Sequence, residues 1–141
     1  MQVQPYLFFA GNCAEAVEFY RSALGAEVKA LMRYKDSPEA LNPEMHPPGS
    51  ENHVMHAAFR IGETLIMASD DPTQKDLSHK GFSLSLSASD DAEAERLFAA
   101  LADGGQVFQP LIQTFFSSRF GMAADRFGVP WMVTVASPQN A

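Results

Sequence analysis

The stretch "NCAEAVEFYRSALG" (12–25) decides the reading of this chain, because "DDAEAERLFAALADGG" (90–105) says nearly the same thing again. Ala14, Glu15 and Ala16 recur as Ala92, Glu93 and Ala94, 78 residues further on. At that spacing Ala16, Phe19, Tyr20 and Ala23 fall on Ala94, Leu97, Phe98 and Leu101. Both sets run i, i+3, i+4, i+7, the stripe of an amphipathic helix. Asn12 and Asp90 stand where helix caps belong, each with a glutamate three residues on, as in a capping box. Gly25 closes the first helix, and Gly104 and Gly105 close the second.

What flanks the two helices also repeats. "PYLFFA" (5–10) and "SLSLSA" (83–88) are short and strand-like. In the second, Phe82, Leu84 and Leu86 alternate with Ser83, Ser85 and Ser87, so the leucines face a core and the serines face away. The same spacing sets Tyr6 and Phe8 beside Leu84 and Leu86, under the helix. It puts Leu7 and Phe9 with the serines on the opposite face. "HAAFRIGETLIMAS" (56–69) and "MAADRFGVPWMVTV" (122–135) each read as a hairpin with glycine at its turn. One further strand candidate precedes each hairpin, at 26–34 and 106–113. Each half is therefore strand, helix, strand, strand, strand. The expected fold is α+β: two βαβββ units, about 1–70 and 80–137, in a single domain spanning 1–141. Between them the units supply eight strands. The segment 35–52, rich in Pro, Asn, Glu and Ser, reads as a long loop, expected to be mobile and to border a cavity mouth.

The composition limits the function classes. Of 141 residues 46% are hydrophobic, enough for a real core. Seventeen acids against ten bases give a net charge of -7. That argues against non-specific nucleic-acid binding and against an anionic membrane surface. No apolar run is long enough to span a bilayer, and the N-terminus lacks the basic start of a signal peptide. A single cysteine, Cys13, makes no internal disulfide, so a reducing cytoplasm is the expected location.

A doubled βαβββ unit of this length resembles the vicinal oxygen chelate superfamily of glyoxalase I, ring-cleaving dioxygenases and bleomycin-resistance proteins. "PYLFFAGNCAEAVEFYRSALGAE" and "RFGMAADRFGVPWMVTV" resemble its PhnB-like branch most closely. The resemblance covers nearly the whole chain. It implies an open, curled, mixed sheet of eight strands, helices on the outer face and a cavity on the concave one. Metal-dependent members take His, Gln or Glu ligands from the first strand and the last hairpin strand of each unit. Carried onto this chain, those positions are Pro5, Ile66, Ser83 and Met132, and a one-residue shift offers Met67 and Val133. None is a good donor to a divalent metal. No metal and no cofactor are therefore expected, as in the bleomycin-resistance relatives that simply bind.

The remaining chemistry is sparse. The histidines are His46, His53, His56 and His79. His53 and His56 lie three apart, which on a strand points them to opposite faces. No GxSxG, P-loop or dinucleotide glycine pattern occurs. The methyltransferase label common in this branch finds no matching nucleotide site. A ligand pocket remains, with Leu7, Phe9, Ser83, Ser85, Met132 and Thr134 as its wall and Trp131 under the helices. "QTFFSSRFG" (113–121) adds Phe115, Phe116 and Arg119, where an arginine beside two rings can clamp an anion over an apolar body. The same stretch reads equally as core or dimer interface with a solvated arginine. Three functions follow: a metal-free binder of a small, partly apolar molecule; a glyoxalase- or dioxygenase-like lyase or oxidoreductase with non-standard site residues; or an interaction protein with a filled cavity. A homodimer is expected, since sheets of this kind leave exposed edges. Cys13 reads as the first residue of the first helix, modestly reactive and not catalytic.

Overall fold

The computed structural model describes residues 1–38, 48–74 and 77–136. Unit 1, Met1–Leu77, holds β1 (Tyr6–Phe9), α1 (Cys13–Leu24), β2 (Glu27–Arg33), a 3-10 turn (Tyr34–Asp36), β3 (Val54–Ile61) and β4 (Thr64–Asp70). Unit 2, Ser78–Ala141, holds β5 (Leu84–Ala88), α2 (Asp91–Ala102), β6 (Gln106–Ile112), β7 (Phe120–Ala124) and β8 (Pro130–Val135). The order is strand, helix, strand, strand, strand twice over, as the repeat requires. Hydrogen bonding sorts the strands into two mixed sheets of four, β1-β4-β3-β2 and β5-β8-β7-β6. In each, the first strand runs parallel to the last, and the remaining pairs are antiparallel.

Each helix covers one face of its own sheet. α1 buries Cys13, Ala16, Val17 and Tyr20, and the Tyr20 ring stacks on Phe59 of β3 at 5.6 Å. Phe59 therefore marks the covered face of unit 1. Its partner Ile66, and the pair Ala57 and Ala68, share that face. Leu7 pairs with Ala68 and Phe9 with Asp70, so β1 turns Leu7 and Phe9 under α1. They are 3% and 2% exposed, against 38% and 49% for Tyr6 and Phe8. The structure reverses the parity that the repeat implies for this strand: Leu7 and Phe9 are core, not pocket wall.

Unit 2 follows the expected parity. α2 buries Ala94, Leu97, Phe98 and Leu101. A Cβ on Gly121 would meet the Phe98 ring, which marks the covered face of β7. Val133, opposite Gly121, and Trp131, opposite Ala123, lie on the same side and are buried. Leu84 and Leu86 join them from β5, opposite Trp131 and Val133.

The helix starts differ. Asp90 caps α2 as expected, its Oδ1 accepting from Glu93 N–H at 2.8 Å. Asn12 does not cap α1 with its side chain. The carboxylate of Asp70, from the end of β4, does so instead. Its Oδ1 accepts from Gly11 N–H at 2.8 Å and Cys13 N–H at 3.0 Å, and its Oδ2 from Val54 N–H at 2.8 Å. One buried side chain thus ties β3, β4 and the start of α1 together. Asp125 plays a similar part in unit 2, accepting from Phe127 N–H, Val129 N–H and Trp131 Nε1–H.

Of the 35–52 loop, residues 39–47, with His46, lie outside the described residues, and so does most of its expected mobility. Its ends are anchored: Lys35 N–H donates to Glu51 O, Tyr34 N–H to His53 O, and Ser50 is buried.

Candidate functional site: the uncovered sheet faces

Among the described residues no helix of either unit lies on the second face of its own sheet. In unit 2 that face carries Ser85 and Ser87 from β5, opposite Met132 and Thr134 of β8. Met132 pairs with Met122, and Thr134 with Phe120. Gln109 and Ile112 of β6 continue the two rows. Phe116, from the 113–119 connection, sets its ring 5.2 Å from Phe120. Ser85, Met132, Thr134 and Phe116 are thereby brought to one surface; Ser83 just precedes β5 and is half-buried. The surface is mixed: two thioethers and two rings form an apolar floor, edged by three hydroxyls.

Two residues proposed for this surface are placed otherwise. Phe115 touches the Phe116 ring at 5.2 Å but is itself fully exposed. Arg119 precedes β7 with the parity of Gly121 and turns to the helix side. Its Nε lies 3.2 Å from Glu95 Oε1 and its Nη1 3.5 Å from Asp91 Oδ2, both on α2. An arginine spent on two helix carboxylates is not an anion clamp over the open face.

In unit 1 the uncovered face carries Tyr6 and Phe8, which the repeat would set under the helix, together with His56 and Met67. Tyr6 and Phe8 lie opposite Met67 and Ser69. Met67 also lies opposite Ala58, and His56 opposite Met32. The Tyr6 hydroxyl stands 3.4 Å from His56 Nδ1, and the Tyr6 and Phe8 rings are 5.0 Å apart. A signal for this row existed in "HAAF", where buried Phe59 fixes His56 to the other side of β3. His53 precedes the strand and packs against Gly11, and its buried Nδ1 has no hydrogen-bond partner among the described residues.

The donor set does not fit a divalent metal. Ile66 faces α1, which leaves its neighbour Met67 on the open face at that point of β4. Pro5 contributes only a main-chain carbonyl, already accepting from Met67 N–H at 3.0 Å. Ser83 and Met132 add a hydroxyl and a thioether, poor partners for a hard or borderline cation. Among the described residues no group of three or more His, Cys, Asp or Glu is gathered as a metal-binding set.

Cys13 begins α1, as expected, yet it is buried and its thiol is pushed up to about 12. Burial is the main cause, the Asp70 carboxylate adds to it, and Arg33 opposes both. The positive end of α1 is already met by Asp70, so the expected modest reactivity is reversed.

The comparisons agree with this architecture. Residues 1–134 match the family described as 3-demethylubiquinone-9 3-methyltransferase. Protein YjdN of Escherichia coli (strain K12) is 35% identical over 144 residues, which is 99% of this chain and 98% of that protein. The crystal structure of protein PA1353 from Pseudomonas aeruginosa is 44% identical with a TM-score of 0.85, covering 96% of this chain and 98% of that one. A putative 3-demethylubiquinone-9 3-methyltransferase, PhnB protein, from Bacillus cereus is 29% identical with a TM-score of 0.79, covering 96% of this chain and all of that one. A glyoxylase/bleomycin resistance protein/dioxygenase domain from Frankia sp. EAN1pec shares the fold at a TM-score of 0.68 and 11% identity, over 98% of this chain and 93% of that one.

Proposed function

The chain belongs to the family described as 3-demethylubiquinone-9 3-methyltransferase, the PhnB-like branch of the vicinal oxygen chelate superfamily, and we propose that it binds a small, partly apolar molecule without a metal ion. The observation that carries this reading is the uncovered face of unit 2. There Met122, Met132, Phe116 and Phe120 offer an adaptable apolar floor beside the hydroxyls of Ser85, Ser87 and Thr134. Binding sites commonly join an apolar wall to a few placed polar groups. Thioethers at the carried-over metal positions support independence from a metal.

The methyl transfer in the family's description finds less support. The β1–α1 turn of unit 1 carries a glycine before a helix start, but not the glycine pattern of a nucleotide-binding turn. Its Gly11 and Cys13 amides already serve the Asp70 carboxylate, and the sheet is not a doubly wound parallel one.

The test is native mass spectrometry of protein purified in chelator, with extraction of any retained organic molecule. A fluorescent apolar probe, anilinonaphthalene sulfonate, is titrated in parallel. The expected results are retention or probe binding unaffected by chelator and reduced about tenfold in Met132→Asp. Binding that disappears with chelator and returns with manganese or zinc overturns the metal-free reading.

A further inference from the structure

We propose that the Tyr6–His56 pair on the uncovered face of unit 1 is a recognition site for the acidic oxygen of a small aromatic acid. The inference rests on the reading that this protein binds a small molecule, and it names the chemical class. Several observations converge on it. The Tyr6 hydroxyl faces His56 Nδ1 at 3.4 Å, and the two rings lie 6.0 Å apart. A tyrosine hydroxyl donating to Nδ1 selects the tautomer with its proton on Nε2. In that tautomer Nε2–H is a donor on the face that no helix of the unit covers. The pairing distance is long for a hydrogen bond, as such contacts commonly are before a ligand tightens them.

The surroundings select the body and charge of the ligand. Phe8 lies beside Tyr6 at 5.0 Å, and Met67 and Met32 stand opposite Tyr6 and His56. Rings and thioethers favour a flat aromatic body. The open rows of β1, β3 and β4 carry Tyr6, Phe8, His56, Ala58, Arg60, Leu65, Met67 and Ser69, without one carboxylate. Glu27 of β2 stands at the far end, opposite Arg60. On these rows of described residues an anionic oxygen at His56 meets a donor and no carboxylate, although the chain as a whole is negative; Asp71, just past β4, acts on Tyr34, as Tyr6 does.

The experiment uses the full chain, labelled with 15N in histidine and 13C in methionine methyls, titrated with benzoate and with benzyl alcohol. Benzoate is expected to move the His56 ring nitrogens and the Met67 methyl, with benzyl alcohol binding about tenfold more weakly. His56→Gln should erase that preference. Tyr6→Phe should shift the His56 tautomer signals even without a probe and weaken benzoate more than benzyl alcohol, which a merely structural tyrosine would not do. If benzoate moves only the Met122 and Met132 methyls, this inference falls while the reading of unit 2 stands. If benzoate leaves His56 unmoved, or if His56→Gln binds both probes with wild-type preference, the inference is also wrong.

Discussion

Asp70 places one carboxylate against three main-chain N–H groups, from Gly11, Cys13 and Val54, and is itself buried. Asp70→Ala strands all three donors, so we expect a loss of about 3 kcal/mol or more in urea denaturation, with Asp70→Asn intermediate. Cys13, one of those donors, is the residue where burial overrules position. Its raised folded value means the thiol stays neutral in the fold while the unfolded chain ionises near its ordinary 9.0. The resulting stability is present below about pH 9 and is lost as pH climbs towards 12. Iodoacetamide at pH 8 should therefore leave the native protein unlabelled and label it rapidly in urea; rapid native labelling would contradict the burial. His79 works in the other direction. Partial burial holds its imidazole below the ordinary 6.5, and the Asp125 charge only partly offsets this. Protonation then favours the unfolded chain, so stability is present above about pH 6.5 and declines on acidification. The decline should be shallower in His79→Gln, as measured by thermal unfolding between pH 7 and 5.

At the scale of elements, the repeat was legible and the faces of unit 1 were not. "FSLSLS" alternates strictly, so β5 declares its two faces, and Ser85, Met132 and Thr134 share the expected one. "YLFF" is apolar at every position and declares nothing. The repeat implies a parity for it, and the chain connections reverse that parity. Three residues, 10–12, join β1 to α1, whereas two, 89–90, join β5 to α2. One extra residue reverses every side chain of a strand relative to its helix. The hairpins differ likewise: two residues turn β3 into β4 and five turn β7 into β8, an odd difference that exchanges Ile66 for Met67. Asp70 as a cap was illegible for another reason, since it acts across 57 residues from Cys13 and no local pattern announces it. Gly11 permits the longer connection, with φ at +105° and the His53 ring within 3.3 Å of where a Cβ would stand. Gly11→Ala should cost about 1–3 kcal/mol through backbone strain and displacement of that ring. A loss under a few tenths of a kcal/mol in denaturant titration would show that the connection is not so constrained.

For the whole molecule, the distribution of apolar surface favours self-association, which we propose as a homodimer. Among the described residues no helix is long and apolar enough to cross a membrane. Unit 2 exposes Val107, Phe108, Ile112 and Phe115, with Phe108 at 58% and Phe115 wholly bare. Three of these lie on β6, an edge strand of its sheet, and the fourth in the connection that leaves it. Edge strands with bare apolar side chains are surfaces that proteins ordinarily cover or charge. Pro110 lacks the N–H that an added strand would need, so side-chain packing is favoured here over strand extension. A net charge of -7 opposes association at low salt, and the apolar contact must outweigh it. Light scattering at micromolar concentration should give twice the 15.4 kDa chain mass, more firmly as salt is raised. Phe108→Asp, a change on an exposed edge, should shift the population towards monomer while leaving the thermal unfolding of dilute protein little altered. A monomer mass for the unmodified chain across that range, or a dimer indifferent to both Phe108→Asp and Phe115→Ser, would place the partner surface elsewhere or remove it altogether.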